Sequence, residues 1–337
     1  MNHTVVQSGI ASAAARDAYG VALSVASGII CSFGTVANVV NIIVFVRQGL
    51  TDTVTITLLA LSFMDFGVTI TMLGVGMCFS PLVINAGYPV NLSDLSYIIG
   101  WTHIAFSRVS SGMTAFVSFE RCLCIAMPLK VRTIITNRRT CVVMVVITVI
   151  MTLSTAPVFY TSRMAWNRVP DSNRTILSMV FTDDRDLVDN ISFGINTVFL
   201  IPVIFVATII FTIILAINLN RKAKWRDSVT TGKNEEKTDK STVSNKDRRA
   251  IKMVAIISVV YIFCYAPDIM TVFTAIIVSE FNFGRREENL LLITGTFTLL
   301  LQSVNSSVNI FIYLKMSSKF KRTFDAIFLS CLRLKST

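Results

Sequence analysis

The sequence predicts an all-α membrane protein, a bundle of seven transmembrane helices followed by a short amphipathic helix, on three observations. Of the 337 residues, 53% are hydrophobic and only 15% charged, where an average soluble domain carries roughly 25% charged residues. The apolar residues lie in seven long blocks rather than in the scattered pattern of a soluble core. Basic residues fall between those blocks, mostly at alternate gaps. These features exclude a soluble enzyme, a disulfide-stapled secreted module and a nucleic-acid binder, which would gather its Lys and Arg on one exposed face. The net charge of +11 reads instead as a signal of membrane orientation.

The elements follow in order. Residues 1–20 form an extracellular N-terminus, and 21–314 form the bundle. Its spans fall at 21–46, 54–79, 93–125, 140–160, 190–217, 253–279 and 289–314, and residues 317–337 supply the amphipathic helix and cytoplasmic tail. Each block reaches the ~20 residues that a helix needs to cross the hydrocarbon core. Helices are required because an open sheet would leave its edge amides unpaired in lipid. The third block is the least apolar, with His103, Arg108, Glu120 and Arg121; shielding by neighbouring helices accounts for them. The first 17 residues lack a basic stretch followed by an apolar run, so span one is expected to act as the signal anchor. The absence of internal repeats weighs against an inverted-repeat transporter.

Orientation comes from the gaps. The stretch 130–139 holds four basic residues and no acid, and 221–249 holds ten basic and five acidic residues. Lys and Arg favour the cytoplasmic side, which places the N-terminus outside and the tail inside. Four glycosylation sequons, at Asn2, Asn91, Asn173 and Asn190, all fall on the expected outer side. The inner stretch 227–247 is rich in Ser, Thr, Lys and Glu and reads as a mobile loop.

Ionisable and amide side chains inside lipid are costly and mark function by default. Asp65 lies mid-span in the second block and Asn38 in the first. Asn305 and Asn309 of the seventh are four apart, hence on one helix face. Ser110 stands eleven residues before Arg121, at about the depth of Asp65. A carboxylate ringed by hydroxyls and amides can hold a small hard cation through oxygen ligands.

Ordered marks along the chain carry a family likeness. They are Asn38, the 61–65 segment, Glu120 with Arg121 and Cys122, and Met127 with Pro128 and Leu129. Pro202, the 263–267 segment around Pro267, Asn309 through Tyr313, and Phe320 complete the series. With them, the chain resembles the rhodopsin-like (class A) G-protein-coupled receptors over nearly its whole length. The 119–125 segment is similar to divergent invertebrate chemosensory and neuropeptide receptors.

The resemblance implies a receptor that binds an extracellular ligand and activates a heterotrimeric G protein as span six swings outward. Receptor kinases, arrestin and membrane lipid are the further partners implied; nucleic acid is not. It assigns a sodium site to Asp65, Ser110, Asn305, Ser306 and Asn309, with a polar cluster that only joins helices as the alternative. Apart from this Na+ ion, acting as an allosteric modulator, no cofactor is expected. It also assigns a switch to Glu120, Arg121, Asp247 and Tyr313, in which Asp247 latches Arg121 at rest. Its ligand-pocket positions fall on His103, Arg108, Tyr265 and Asp268. Amine receptors of the family carry Asp where His103 stands, so a simple biogenic amine is not expected. No Lys occurs in 289–314, which excludes a retinal Schiff base.

Several alternatives stay open on sequence alone. Arg108 and Asp268 form either an internal ion pair or a grip on the carboxylate and cation of an amphoteric ligand. His103 is a pH sensor or a hydrogen-bonded neutral side chain. The run Asp183, Asp184, Arg185, Asp186 is a solvated loop face or an attractor of basic peptides. Cys331 is a palmitoylation site or a plain apolar cysteine.

Departures from the family are equally clear. Ser96 stands where span three usually carries a bridging Cys, and 161–190 contains no Cys at all, so the customary outer disulfide cannot form. Cys31 and Cys78 differ in expected depth by ~9 Å at 1.5 Å per residue, too far to pair. Tyr265 replaces a Trp, Ile310 a Pro and Ile210 a Tyr. The competing class is a seven-span ligand-gated channel or transporter without a G protein; no nucleophile-base pairing, metal cluster or phosphate loop suggests an enzyme.

Overall fold

The computed structural model describes residues 9–127, 130–168, 174–231 and 245–329, without the side chains of 132, 222–231, 245–247 and 329. In chain order its helices are α1 (Ala13–Gln48), α2 (Thr53–Cys78), a short α3 (Pro81–Asn85), α4 (Leu92–Ala126), α5 (Val131–Ile134) and α6 (Asn137–Thr161). A hairpin of β1 (Ser162–Arg168) and β2 (Thr175–Phe181) comes next. Then follow α7 (Arg185–Phe193), a π-helical turn (Gly194–Leu200), α8 (Ile201–Thr231), α9 (Asn245–Ile277), α10 (Glu288–Met316) and α11 (Ser318–Phe324). Spans one to seven are therefore α1, α2, α4, α6, the continuous α7-to-α8 rod, α9 and α10. Six of them are long and apolar enough to cross a membrane on length and composition alone. The seventh, α4, takes the central place, packed against α2, α6, α8 and α9. That placement resolves its low hydropathy, because His103, Arg108, Glu120 and Arg121 are all buried inside the bundle.

Local chemistry sets the helix starts. Ser12, Asp52, Asn91, Thr136 and Ser317 each accept a backbone N–H of the first turn they precede, supplying partners for amides that the helix leaves unpaired. Within the spans, hydroxyls fold back onto the preceding turn, as in Ser62 to the Leu58 carbonyl and Thr212 to that of Thr208, at 2.9 and 2.7 Å. Such local bonds let polar residues sit in lipid without a bare donor. Close helix approach depends on missing side chains: a Cβ on Gly34 would collide with Ser307 of α10, and one on Gly67 with the Phe106 ring of α4. At the end of the bundle opposite the N-terminus, Phe45 packs edge to face on Tyr313 and Phe320 at 5.1 Å between centroids, and Tyr313 and Phe320 tilt together at 5.5 Å. Phe320 is fully buried, which pins α11 beneath α1.

The N-terminal face of the bundle is closed without cysteine chemistry, and none of the described cysteines is in a disulfide. The β-hairpin, absent from the helical expectation, pairs Ser162 with Phe181 through Arg168 with Thr175. It gains a further partner just ahead of α4: Asn91 N donates to the Leu177 carbonyl at 2.8 Å, and Leu177 N to that of Pro89 at 2.9 Å. One turn into α4, Asp94 Oδ2 accepts the Met179 N–H at 2.8 Å. Arg185 adds a contact over the Phe181 ring at 3.8 Å and an ion pair with Asp189, while Asp183, Asp184 and Asp186 stay exposed, a solvated face. On the far side of the same face, Ile10 N donates to Glu287 Oε2 at 2.7 Å and Asn289 Nδ2 to the Ala11 carbonyl. The Ile10 N–H, with Arg286, holds the Glu287 carboxyl below the usual range.

If hydrogen bonds anchor the hairpin, Asp94→Ala accelerates amide hydrogen exchange over 175–181. Asp94→Asn, which keeps an acceptor oxygen, leaves it near wild type, and so does reductant. Equal exchange in both variants would dismiss Asp94 as the anchor.

Candidate functional site

Three centres run down the axis of the bundle. The first is a cavity of about 400 Å³ toward the N-terminal face, between α4, α8, α9 and α10. Phe283, Leu291 and Val272 form its outer collar, Arg108 and Asp268 line it, and Ser107, Tyr265 and Gln302 form its floor. The floor is bonded: Ser107 Oγ and Tyr265 OH lie 2.8 Å apart, and Ser107 Oγ donates to Gln302 Oε1 at 3.1 Å. Arg108 and Asp268 make no ion pair with one another. Nε and Nη1 of Arg108 are buried without a hydrogen-bond partner, although Asp268 is close enough to act on the guanidinium electrostatically.

His103 corrects the sequence expectation. It does not line the cavity; its Nδ1 lies 3.1 Å from the Val68 carbonyl of α2, and Gln302 is its other neighbour. The helix turns its ring toward α2, an orientation decided by the neighbour and not by α4 itself. Conversely, Gln302 and Ser107 join the site unannounced. The signal for Gln302 was present: it is an amide inside an apolar block, seven residues before Asn309 and on the same helical face.

The second centre is Asp65, wholly buried. Ser110 Oγ donates to its Oδ1 and Asn309 Nδ2 to its Oδ2, both at 2.8 Å, joining α2, α4 and α10. The Ser306 hydroxyl stands beside the same carboxylate with no hydrogen bond of its own, and the Ser306 carbonyl accepts Asn38 Nδ2 at 2.8 Å. Asn305 stands apart from that carboxylate. Its side chain makes no bond to Asp65, and its backbone instead lies beside the Cys264 thiol of α9. One residue of helical rotation, about 100°, separates it from Ser306.

The third centre lies at the C-terminal end of α4. Arg121 Nη2 donates to Glu120 Oε1 at 2.7 Å and to Thr53 Oγ1 of α2 at 3.4 Å, and the ion pair is buried. One turn earlier, Ser118 Oγ and Ser258 Oγ of α9 are 2.6 Å apart, a clasp between spans three and six. Tyr313 is fully buried, and its hydroxyl has no hydrogen-bond partner. The side chain of Asp247 lies outside the described residues. So do Asn2, Asn173 and Cys331, whereas Asn91 caps α4 and Asn190 is exposed on α7.

A buried carboxylate bridged to two other spans, an arginine pair at one end of the central helix and a cavity at the other form one arrangement. The family model for seven-transmembrane receptors of the rhodopsin family matches residues 37–313. The chain belongs to that family. No curated protein matches it. As a rhodopsin-family member it is a multi-pass membrane receptor, and the expectation of a seven-helix bundle holds. Tyr265, in place of the family's Trp, uses its hydroxyl to bond the cavity floor, which an indole could do only as a donor.

The floor bonds predict coupling between α4 and α10. Ser107→Ala and Gln302→Leu should each cost about 1 kcal/mol. The double variant should cost less than their sum, measured by thermal unfolding in detergent. Strict additivity would mean that the bond contributes nothing.

Proposed function

We propose that this receptor sits in the plasma membrane with its N-terminus outside and its C-terminus in the cytoplasm. There it binds a small amphoteric molecule and activates a heterotrimeric G protein. The unsatisfied Arg108 guanidinium, sharing a cavity with an Asp268 that does not pair with it, carries this reading. A buried cation left without acceptors is costly, and a ligand carboxylate at Arg108 with a ligand ammonium at Asp268 would satisfy both groups. The cavity volume suits a free amino acid or an odorant of similar size better than a long peptide. It therefore favours a chemosensory role over a neuropeptide one. The apolar collar above the charges suits a ligand whose charged end enters first and whose apolar end faces the mouth.

Ligand binding then biases an existing equilibrium. A ligand shifts populations only by its difference in affinity between states. Asp268 and Tyr265 lie on α9 and Arg108 on α4, so a bound ligand bears on the spacing of spans three and six. At the inner end the Ser118–Ser258 clasp and the Glu120–Arg121 pair hold the resting arrangement, with Asp247 as a further latch on Arg121. Outward movement of α9 opens that end for the G protein. Asp65, with the Ser110 and Ser306 hydroxyls, supplies the oxygen donors that a sodium ion takes, and the unbonded Ser306 hydroxyl leaves a donor available. These residues would hold Na+ as a counter-charge that favours the resting state. Receptor kinases acting on 227–247 and arrestin complete the set of partners.

In a G-protein reporter screen of amino acids and small amphoteric odorants, Arg108→Gln and Asp268→Asn each lower the potency of an active compound about tenfold to a hundredfold. Unchanged potency in both variants would defeat the amphoteric reading. At matched surface expression, Asp247→Ala raises basal signalling, and a basal level equal to wild type would remove Asp247 from the latch.

A further inference from the structure

The hydrogen-bonded floor of the cavity continues behind it to a side chain that the cavity does not reach. His103 Nδ1 lies 3.1 Å from the Val68 carbonyl of α2, and a carbonyl oxygen only accepts. Nδ1 therefore carries a proton. A second proton, on Nε2, would leave a buried ring cation aimed at no acceptor, because Nε2 is buried without a hydrogen-bond partner. Such a state is costly, so Nε2 is a bare lone pair. Gln302 of α10 is the polar side chain beside the ring. The two ends of its amide play opposite roles, and their order is decided by the neighbours. A lone pair attracts the NH2 end and repels the oxygen. That leaves Oε1 for the other side, where it accepts from Ser107 Oγ at 3.1 Å.

Ser107 has one hydroxyl proton, and Gln302 takes it. The 2.8 Å contact between Ser107 Oγ and Tyr265 OH then runs one way only, with Tyr265 donating. Donation passes from α9 through α4 to α10, and its starting atom is the Tyr265 oxygen, which has committed its only proton and keeps its lone pairs. Tyr265 lines the cavity, so at this point the floor meets an occupant as an acceptor. We propose that His103 is a positioning residue for ligand recognition: acting through Gln302 and Ser107, it holds the Tyr265 hydroxyl so that its oxygen accepts an N–H of the ligand's ammonium. Asp268 follows Tyr265 by three residues and stands one turn along the same face of α9. An ammonium held by Asp268 thus has a second proton for Tyr265. A primary ammonium, with three N–H donors, satisfies both groups, whereas a quaternary one of equal charge satisfies the carboxylate alone. The order of protons stands on the side chains themselves; the ligand half rests on the amphoteric reading above.

The chain has two histidines, His3 and His103. Full-length receptor with isotope-labelled histidine, in lipid nanodiscs, therefore gives two sets of ring-nitrogen NMR signals, and His103→Phe identifies the buried one. The expected spectrum has Nδ1 protonated and Nε2 bare. A proton on Nε2, alone or with one on Nδ1, would overturn the proposed order. The phenol C–O stretch, isolated as the infrared difference between wild type and Tyr265→Phe, distinguishes a hydroxyl that donates from one that accepts. Wild type shows the donor. His103→Phe, which frees the Gln302 amide to turn over, shows both. His103→Gln, which can donate to Val68 and accept from Gln302, restores the wild-type band, and it decides the matter even where His103→Phe fails to fold. A band unchanged in His103→Phe, or unrestored in His103→Gln, would remove His103 from this role. For the ligand half, the amino acids of the reporter screen are compared with their N,N,N-trimethyl derivatives. Methylation lowers potency about tenfold more in wild type than in His103→Phe. An equal loss in both would overturn the link between His103 and recognition. Inactivity of every amino acid would instead defeat the amphoteric reading, while the spectra still uphold or overturn the proton order.

Discussion

The bundle is organised by a single requirement: in hydrocarbon, a polar group must find its partner inside the protein. Asp65 shows how much structure this one demand sets. Its two oxygens accept from Ser110 and Asn309, so spans two, three and seven must meet at a common depth. The Asn38 bond to the Ser306 carbonyl brings span one to the same level. Small residues make the approach physically possible, with Gly34 set against Ser307 and Gly67 against Phe106. The carboxylate is the hub, and the glycines are the clearance that lets the other spans reach it.

Against that background, the groups left without partners carry the most information. Arg108 is buried with two nitrogens unbonded, beside an acid it does not touch. In a bundle where most hydroxyls fold back onto their own helix, such a group points to something outside the chain.

The N-terminal face shows a different solution to a family problem. Where a disulfide customarily ties the third span to the loop between spans four and five, this chain uses a backbone ladder through Leu177 and the Asp94 carboxylate on the Met179 amide. Hydrogen bonds of this kind are individually weak and act here as a set. The Glu287 contact with Ile10 does similar work on the other side of the face. The architecture of the N-terminal face is therefore reversible in a way that a covalent bridge is not.

What the sequence determined by itself was the part governed by solvent: seven apolar lengths, the helical state that lipid enforces on them, and the costly residues Asp65, Ser110, Asn309, Glu120 and Arg121. Those could be read because burial of a charge in lipid is penalised wherever it sits along the chain. Tertiary structure alone decided which way each side chain turned. His103 faces Val68 and not the cavity, Asn305 falls one residue of rotation away from Ser306, and Gln302 reaches Ser107. A helix position fixes a direction relative to its own axis only, and the neighbour lying in that direction is set by how the helices pack. The hairpin was not expected because 162–181 reads as a gap between apolar blocks; its strands pair with each other and gain further partners at 89–94.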